Sequence, residues 1–157
     1  MSNFLVFAKP DAVRRNLIGE IIGRFESRGF VLKDIKYVQP TRMSMETHYQ
    51  EHCGKPFFNE LVTFSCSGPI VPMIWRGDIY AARALIGVTN PHLASPGTIR
   101  GDLASSIPDN LVHCSDSEES AQRELEHWFS VDAAHSQDSE RLLNQTVASL
   151  GKDAHMY

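Results

Sequence analysis

The chain has 157 residues, a mass of 17.6 kDa and a net charge of −4 at pH 7, the size of one average domain, which argues against separate cofactor and substrate domains. With 42% hydrophobic and 22% charged residues, its composition excludes intrinsic disorder and disfavours a general nucleic-acid coat. Three cysteines, Cys53, Cys66 and Cys114, form no CxxC pair and cannot all pair internally, so a reducing, cytoplasmic setting is expected.

No run of eighteen apolar residues exists, and the start, MSNFLVFAKPD, has no basic leader, so neither an export nor a membrane-spanning segment is expected. A chain of this length hides roughly 69% of its unfolded surface, enough for a core without metal or disulfide staples.

Asn3 to Ala8 is a short apolar run closed by Lys9-Pro10-Asp11, which predicts a buried strand ending in a turn with Lys9 at its end. Leu17, Ile18, Ile21, Ile22 and Phe25 recur at helical spacing and Gly29 stops the helix just past Arg28. Phe30 to Val38 reads as a second strand. Between Met43 and Cys66, Tyr49, Phe57, Phe58, Leu61 and Phe64 are spaced for one or two short helices, with Pro56 placed to begin the second. Pro69 to Trp75 predicts a third strand, in which Pro72 suggests a bulge or an edge position.

Ile79 to Ile86 reads as a helix, and residues 87–110 as a long Gly-, Asn-, Pro- and Ser-rich loop of the kind that carries function. Leu111 to Cys114 predicts a short last strand. Ser115 with Glu118 reads as a capping box for a final helix bearing Ala121, Leu125, Trp128 and Phe129 on one face. Without the extra helix the order is βαββαβ, an α+β, ferredoxin-like arrangement with a four-stranded antiparallel sheet and helices on one face. Residues 1–129 are read as this domain. Residues 130–157, with four acids against two bases, are read as an extension, helical over 138–150 if Leu142, Leu143, Val147 and Leu150 form a stripe between an Asp138 cap and Gly151.

Neither GxxxxGK[ST] nor GxGxxG occurs, so any nucleotide site uses another architecture. His48 and His52 stand at i and i+4 in HYQEH, a spacing suited either to a metal or to an incidental pair on a solvated helix face. His113 lies in the last strand just before a helix, whose N-terminal amides and dipole favour a phosphoryl group there. The alternative is a strand histidine bonded to a carbonyl. Pro96-Gly97-Thr98-Ile99-Arg100-Gly101-Asp102 adds two glycines that let the backbone approach a ligand and a guanidinium suited to phosphate oxygens. Lys9, Arg83 and Thr89 extend that set.

KPDA at 9–12, HY at 48–49, PFF at 56–58, SGP at 67–69, TNP at 89–91, PGTIRGD at 96–102 and NLVHCSDSEESAQRE at 110–124 together resemble the nucleoside diphosphate kinase family over residues 3–129. The last block, containing the pattern N-x-x-H-[GA]-S-D with Cys114 at the variable place, is the most specific. The resemblance implies ping-pong transfer of a γ-phosphoryl group from a nucleoside triphosphate such as ATP to a nucleoside diphosphate through a phosphohistidine on His113. It implies attack by the δ nitrogen, with Glu124 holding the other ring nitrogen and Ser115 supporting the cluster. Lys9, Tyr49, Arg83, Thr89 and Arg100 match the phosphate-binding set. Asn110 and Lys9 match the ribose contacts, and Phe57, Leu61 and Ile107 the clamp on the base.

The resemblance further implies Mg2+ carried by the nucleotide phosphates rather than by direct protein ligands, and a homo-oligomer, hexamer first and tetramer second. No membrane or nucleic-acid partner is indicated. Ala12 and Cys114 replace the small residues usual at those positions, Pro72 falls in a strand that the family places centrally, and the Trp75–Arg83 interval is two residues short. A binding module that has lost activity and a metal protein using His48 and His52 are the competing functions. Intact His113, Lys9, Arg100 and Asn110 favour the enzyme.

Overall fold

In a computed structural model, which describes residues 1–129, the first apolar run becomes strand β1 (Ser2–Ala8). Its side chains from Phe4 to Ala8 are all fully buried, as befits a strand covered on both faces. β1 pairs antiparallel with β3 (Val71–Gly77) on one side and β4 (Val112–Cys114) on the other. β2 (Val31–Ile35) adds antiparallel to β3, giving the order β2-β3-β1-β4. This is the antiparallel ferredoxin-like sheet expected from the element order.

The helices are α1 (Pro10–Arg14), α2 (Ile18–Ser27), α3 (Arg42–His48), α4 (Phe58–Ser65), α5 (Ile79–Ile86), α6 (Ile99–Leu103) and α7 (118–129). Phe4, Val6 and Ala8 point into the main core, where Ile21 and Phe25 of α2 and Ile79, Ala82 and Ile86 of α5 meet Met73 and Trp75 of β3. Phe25 stacks on Trp75 with ring centroids 4.9 Å apart. Alternation along β1 turns Phe7 to the opposite face, where its ring lies 5.2 Å from that of His48 at the end of α3.

Several elements differ from the sequence-based expectation. Lys9-Pro10-Asp11 is not a simple turn: Pro10 occupies the first position of α1, whose chain is then redirected by Asn16 at φ 57°. The second strand is shorter than Phe30 to Val38: it takes up a bulge between Leu32 and Asp34, pairs again at Asp34 and Ile35 and ends there, and Val38 returns only as an isolated bridge to Ile70. Pro56 lies before α4, whose N-cap is Phe57, rather than inside its first turn.

Pro72 sits neither at an edge nor at the bulge, since β3 is an inner strand. Its carbonyl accepts from Lys36 N at 2.9 Å, beyond the last β2–β3 pair at Ile35 and Met73. Its missing donor thus faces the gap where the ladder has already ended. Residues 87–110 contain a 3₁₀ turn (Pro91–Leu93) and α6 rather than a structureless loop. The helix α7 is capped by Ser117 and Ser120, with Ser120 N donating to Ser117 Oγ at 3.1 Å and Ser117 N to Ser120 Oγ at 3.0 Å. Ser115 has another partner.

Met1–Leu125 forms one compact unit. Of the second unit, Glu126–Tyr157, only the end of α7 through residue 129 is described, so the helix expected over 138–150 lies outside the described residues.

Two glycines in helices have opposite surroundings. A Cβ on Gly101 would lie 2.1 Å from the carbonyl oxygen of Ser95, whereas one on Gly23, in the middle of α2, would meet nothing within 4 Å. Gly23→Ala is therefore expected to stabilise the fold by about 0.5–1 kcal/mol through helix propensity. Gly101→Ala should instead destabilise it by ~2 kcal/mol or more, because backbone must move. Chemical denaturation of both variants checks the pair, and equal effects of one sign would contradict it.

Candidate active site

β4 places His113 opposite Phe7 of β1, and the two rings stack at 4.8 Å with an interplanar angle of 22°. His48 closes in edge-on at 4.5 Å and Tyr49 at 6.0 Å. Nε2 of His113 lies 3.0 Å from Oε1 of Glu124, one of the buried residues of α7. The other carboxylate oxygen accepts from Ser115 Oγ at 2.5 Å.

Ser115 Oγ in turn accepts from Leu5 N at 3.1 Å, and Ser115 N donates to Leu5 O at 3.0 Å. A carboxylate facing Nε2 keeps the proton there, which leaves the lone pair on Nδ1. The structure therefore brings His113, Glu124 and Ser115 into one chain of hydrogen bonds.

Lys9, buried at the end of β1, donates to Asn110 Oδ1 and to the Pro108 carbonyl, both at 2.8 Å. Burial lowers its pKa to about 8, opposed by the charge of Asp11. Asn110 donates from Nδ2 to Thr89 O at 3.0 Å. Arg100 spends its fork on main chain, donating to the carbonyls of Gly87 at 2.9 Å, Asn110 at 3.2 Å and Val112 at 2.6 Å. Burial, then the nearby Arg83, brings its pKa down to about 10. Arg83 reaches the Cys114 carbonyl at 3.3 Å. Of five guanidinium N–H groups on Arg100, three are used and two remain; Lys9 has one of its three left.

These residues share a cavity of about 630 Å3. Tyr49, Arg83, Thr89 and Arg100 line it together with Lys9, Asn110, His113 and Glu124, and Phe57, Leu61 and Ile107 supply an apolar section of its wall. Phe57 and Ile107 are about half exposed, as a stacking surface for a ligand requires. Burial pushes the Tyr49 hydroxyl well above the ordinary phenol range, so it remains a neutral donor. The N-terminus of α7 contributes less to anion binding than its position suggests, because the amides of Asp116, Ser117 and Ser120 are already bonded to Ser117 and Ser120 hydroxyls.

His48 and His52 do not form the expected pair on one helix face. α3 ends at His48, and His52 lies in the 3₁₀ turn Gln50–His52, its Nδ1 3.0 Å from Lys55 Nζ. His48 instead joins His113 and Glu124 in the one group among the described residues with three metal-ligand atoms close together, all within 4.8 Å. That spread exceeds the ~3.3 Å edge of a tetrahedral set with ~2.0 Å bonds. Both Glu124 oxygens are also engaged already.

Sequence reasoning missed Phe7, His48 and the Pro108 carbonyl as neighbours of the site. The alternation of β1 could have pointed to Phe7, but only the strand register pairs it with His113.

Cys114 follows His113 in β4 and is buried, which pushes its thiol up to about 12. At pH 8 the reactive thiolate is therefore scarce. Cys53 is exposed. Iodoacetamide at pH 8 is therefore expected to alkylate Cys53 and spare Cys114 in the folded protein, as peptide mapping would show. Comparable labelling of both would contradict the burial argument.

Comparisons with known proteins find relatives that span most of the chain. The sequence matches the family model described as nucleoside diphosphate kinase over residues 3–134. A nucleoside diphosphate kinase of Crocosphaera subtropica is 50% identical over 131 residues, covering 82% of this chain and 88% of the relative. Nucleoside diphosphate kinase 1 of Nicotiana tabacum is 47% identical over 141 residues, covering 88% and 95%. The crystal structure of the Encephalitozoon cuniculi nucleoside diphosphate kinase superposes with a TM-score of 0.81 at 43% identity, covering 84% of this chain and 91% of that one. With a matching model across most of its length and relatives of about half identical sequence, the chain belongs to the nucleoside diphosphate kinase family of phosphotransferases.

Proposed function

We propose that this protein is an active nucleoside diphosphate kinase whose phosphohistidine forms on Nδ1 of His113. The observation that carries the reading is an imidazole held at Nε2 by Glu124 and opening on a cavity whose buried cations keep unused donors. In the first half-reaction the Nδ1 lone pair forms the N–P bond while the bond from the γ-phosphorus to the bridging oxygen breaks, and the nucleoside diphosphate leaves with that electron pair. A terminal oxygen of the acceptor diphosphate then takes the phosphoryl group, and the N–P electrons return to Nδ1. One site serves both partners in turn, so the kinetics are ping-pong. Glu124 stabilises the positive charge that the phosphorylated ring acquires.

Phosphoryl transfer depends chiefly on positioning and charge stabilisation. The spare donors of Lys9 and Arg100, with Arg83, Tyr49 and Thr89, meet the phosphate oxygens. Asn110 and Lys9 read the ribose hydroxyls. Phe57, Leu61 and Ile107 stack on the base, a contact that tolerates purines and pyrimidines alike.

The family's reaction uses a divalent cation; Mg2+ carried by the nucleotide would supply the neutralisation of phosphate charge. Asp116, exposed at the cavity and kept ionised first by its hydrogen bond with Ser120, is the acid that would face it. We assign residues 1–129 as the catalytic domain, with residues 130–157 as an extension.

A homo-oligomer, hexamer first and tetramer second, is supported by the edge strand β2, which leaves Val31 and Ile35 exposed, with Tyr37 just beyond it. Among the described residues no helix is long and apolar enough to cross a membrane. A cytoplasmic location, with no membrane partner and no nucleic-acid partner indicated, completes the proposal.

Replacement His113→Ala is expected to abolish phosphate exchange between ATP and a second nucleoside diphosphate while the circular dichroism spectrum is retained. Exchange at the wild-type rate would refute the assignment. The second expectation concerns pH. Lys9 is cationic below about 8 and loses its charge above it, so kcat/KM, which reports the free enzyme, should decline with an apparent pKa close to that value. The Lys9→Arg variant should move the decline to higher pH; a limb unchanged by that substitution would assign it to another group.

A further inference from the structure

The segment leading to His113 passes through a strained residue. Leu111 has φ 73°, a left-handed value that costs a residue bearing a Cβ. Val112 N donates to Asn110 O across it at 2.9 Å, which closes a three-residue γ-turn of the rarer, strained hand. Such a turn persists only where the surroundings hold it.

Both main-chain groups of Leu111 are held by the start of α1 and the residue before it. Asp11 Oδ2 accepts from Leu111 N at 3.0 Å, and Lys9 N donates to Leu111 O at 2.8 Å. Asp11 and Leu111 are both buried. The turn is flanked by the parts of the site that need aim. Asn110, on one side, bonds Lys9 and Thr89, and Val112, on the other, is gripped by Arg100 and leads directly into His113. Asp11 itself does not line the cavity.

We propose that Asp11 is a positioning residue for phosphotransfer: by accepting the Leu111 N–H it holds the γ-turn that orients Asn110 and Lys9 toward the ribose and His113 toward the phosphoryl group. The inference rests on the nucleotide site proposed above. A mobile turn would let Asn110 and Lys9 separate, and their joint reading of a ribose hydroxyl would weaken before the nucleophile itself was lost. Asp11 thus acts through Leu111 and touches no substrate.

The test is the ratio of kcat/KM for an acceptor nucleoside diphosphate with a 3′-hydroxyl to that for one without it. The ratio is independent of how much of a variant is folded. Asp11→Ala should lower it by about tenfold or more, because the groups that read the hydroxyl are no longer held in place. Asp11→Asn, whose amide oxygen can still accept the Leu111 N–H, should keep the ratio within about threefold of wild type.

An alanine variant with the wild-type ratio would overturn the inference, and so would an asparagine variant that loses the ratio as fully as alanine. A wild-type protein that ignores the 3′-hydroxyl would overturn the nucleotide-site reading, and this inference with it. That failure is visible before any variant is made.

Discussion

A carboxylate can fix the tautomer of an imidazole only if something else fixes the carboxylate. Here Ser115 donates to Glu124 from one side, and Ser115 is itself tied at both its hydroxyl and its main-chain amide to Leu5 in the middle of β1. The orientation of His113 is thus referred back to the most deeply buried strand of the sheet. Phe7, two residues along the same strand, stacks on the imidazole face. A nucleophile on a flexible loop would have to be ordered in each catalytic cycle, whereas this one is ordered when the sheet forms.

The same economy governs the charges. Lys9 and Arg100 are cations taken largely out of water, and both have lowered pKa values because of it. Each is partly compensated by main-chain carbonyls and Asn110 rather than by a tight carboxylate pair. That choice leaves both cations facing the cavity, together with donors that no protein group uses. A polyanionic ligand completes them, and preorganised dipoles and charges of this kind stabilise a phosphoryl transition state without reorganisation. The cost is carried by the packing of the sheet and by the strained turn at Leu111, two residues before the nucleophile.

Much of this was legible from the residues alone, and the reasons are local. The β1 run and α5 are signalled by apolar pattern, and α5 begins and ends at Ile79 and Ile86 as expected. Lys9, Tyr49, Thr89, Arg100, Asn110 and His113 are carried by motifs, and together with Arg83 they line one cavity. What stayed hidden depends on tertiary context. Pro72 looks like an edge residue until the end of β2 shows where its absent donor would have pointed. Ser115 looks like a helix cap, but Ser117 and Ser120 take that role and free it for Glu124. His48 and His52 stand at helical spacing in the sequence, but the helix ends at His48 and only the fold shows it. Arg100 has a fork suited to phosphate oxygens, yet most of that fork organises the chain beneath the site.

The account stands on the claim that Glu124 keeps the proton on Nε2 and leaves Nδ1 to attack. The direct measurement is nitrogen-15 and phosphorus-31 NMR of the histidine-labelled protein, before and after stoichiometric phosphorylation by ATP without acceptor. The expected result is a His113 ring with its proton on Nε2 rather than Nδ1, and then phosphorus coupled to Nδ1 of that same ring with the Nε2 proton still present. Phosphorus on Nε2, or a free enzyme with the proton on Nδ1, would contradict it.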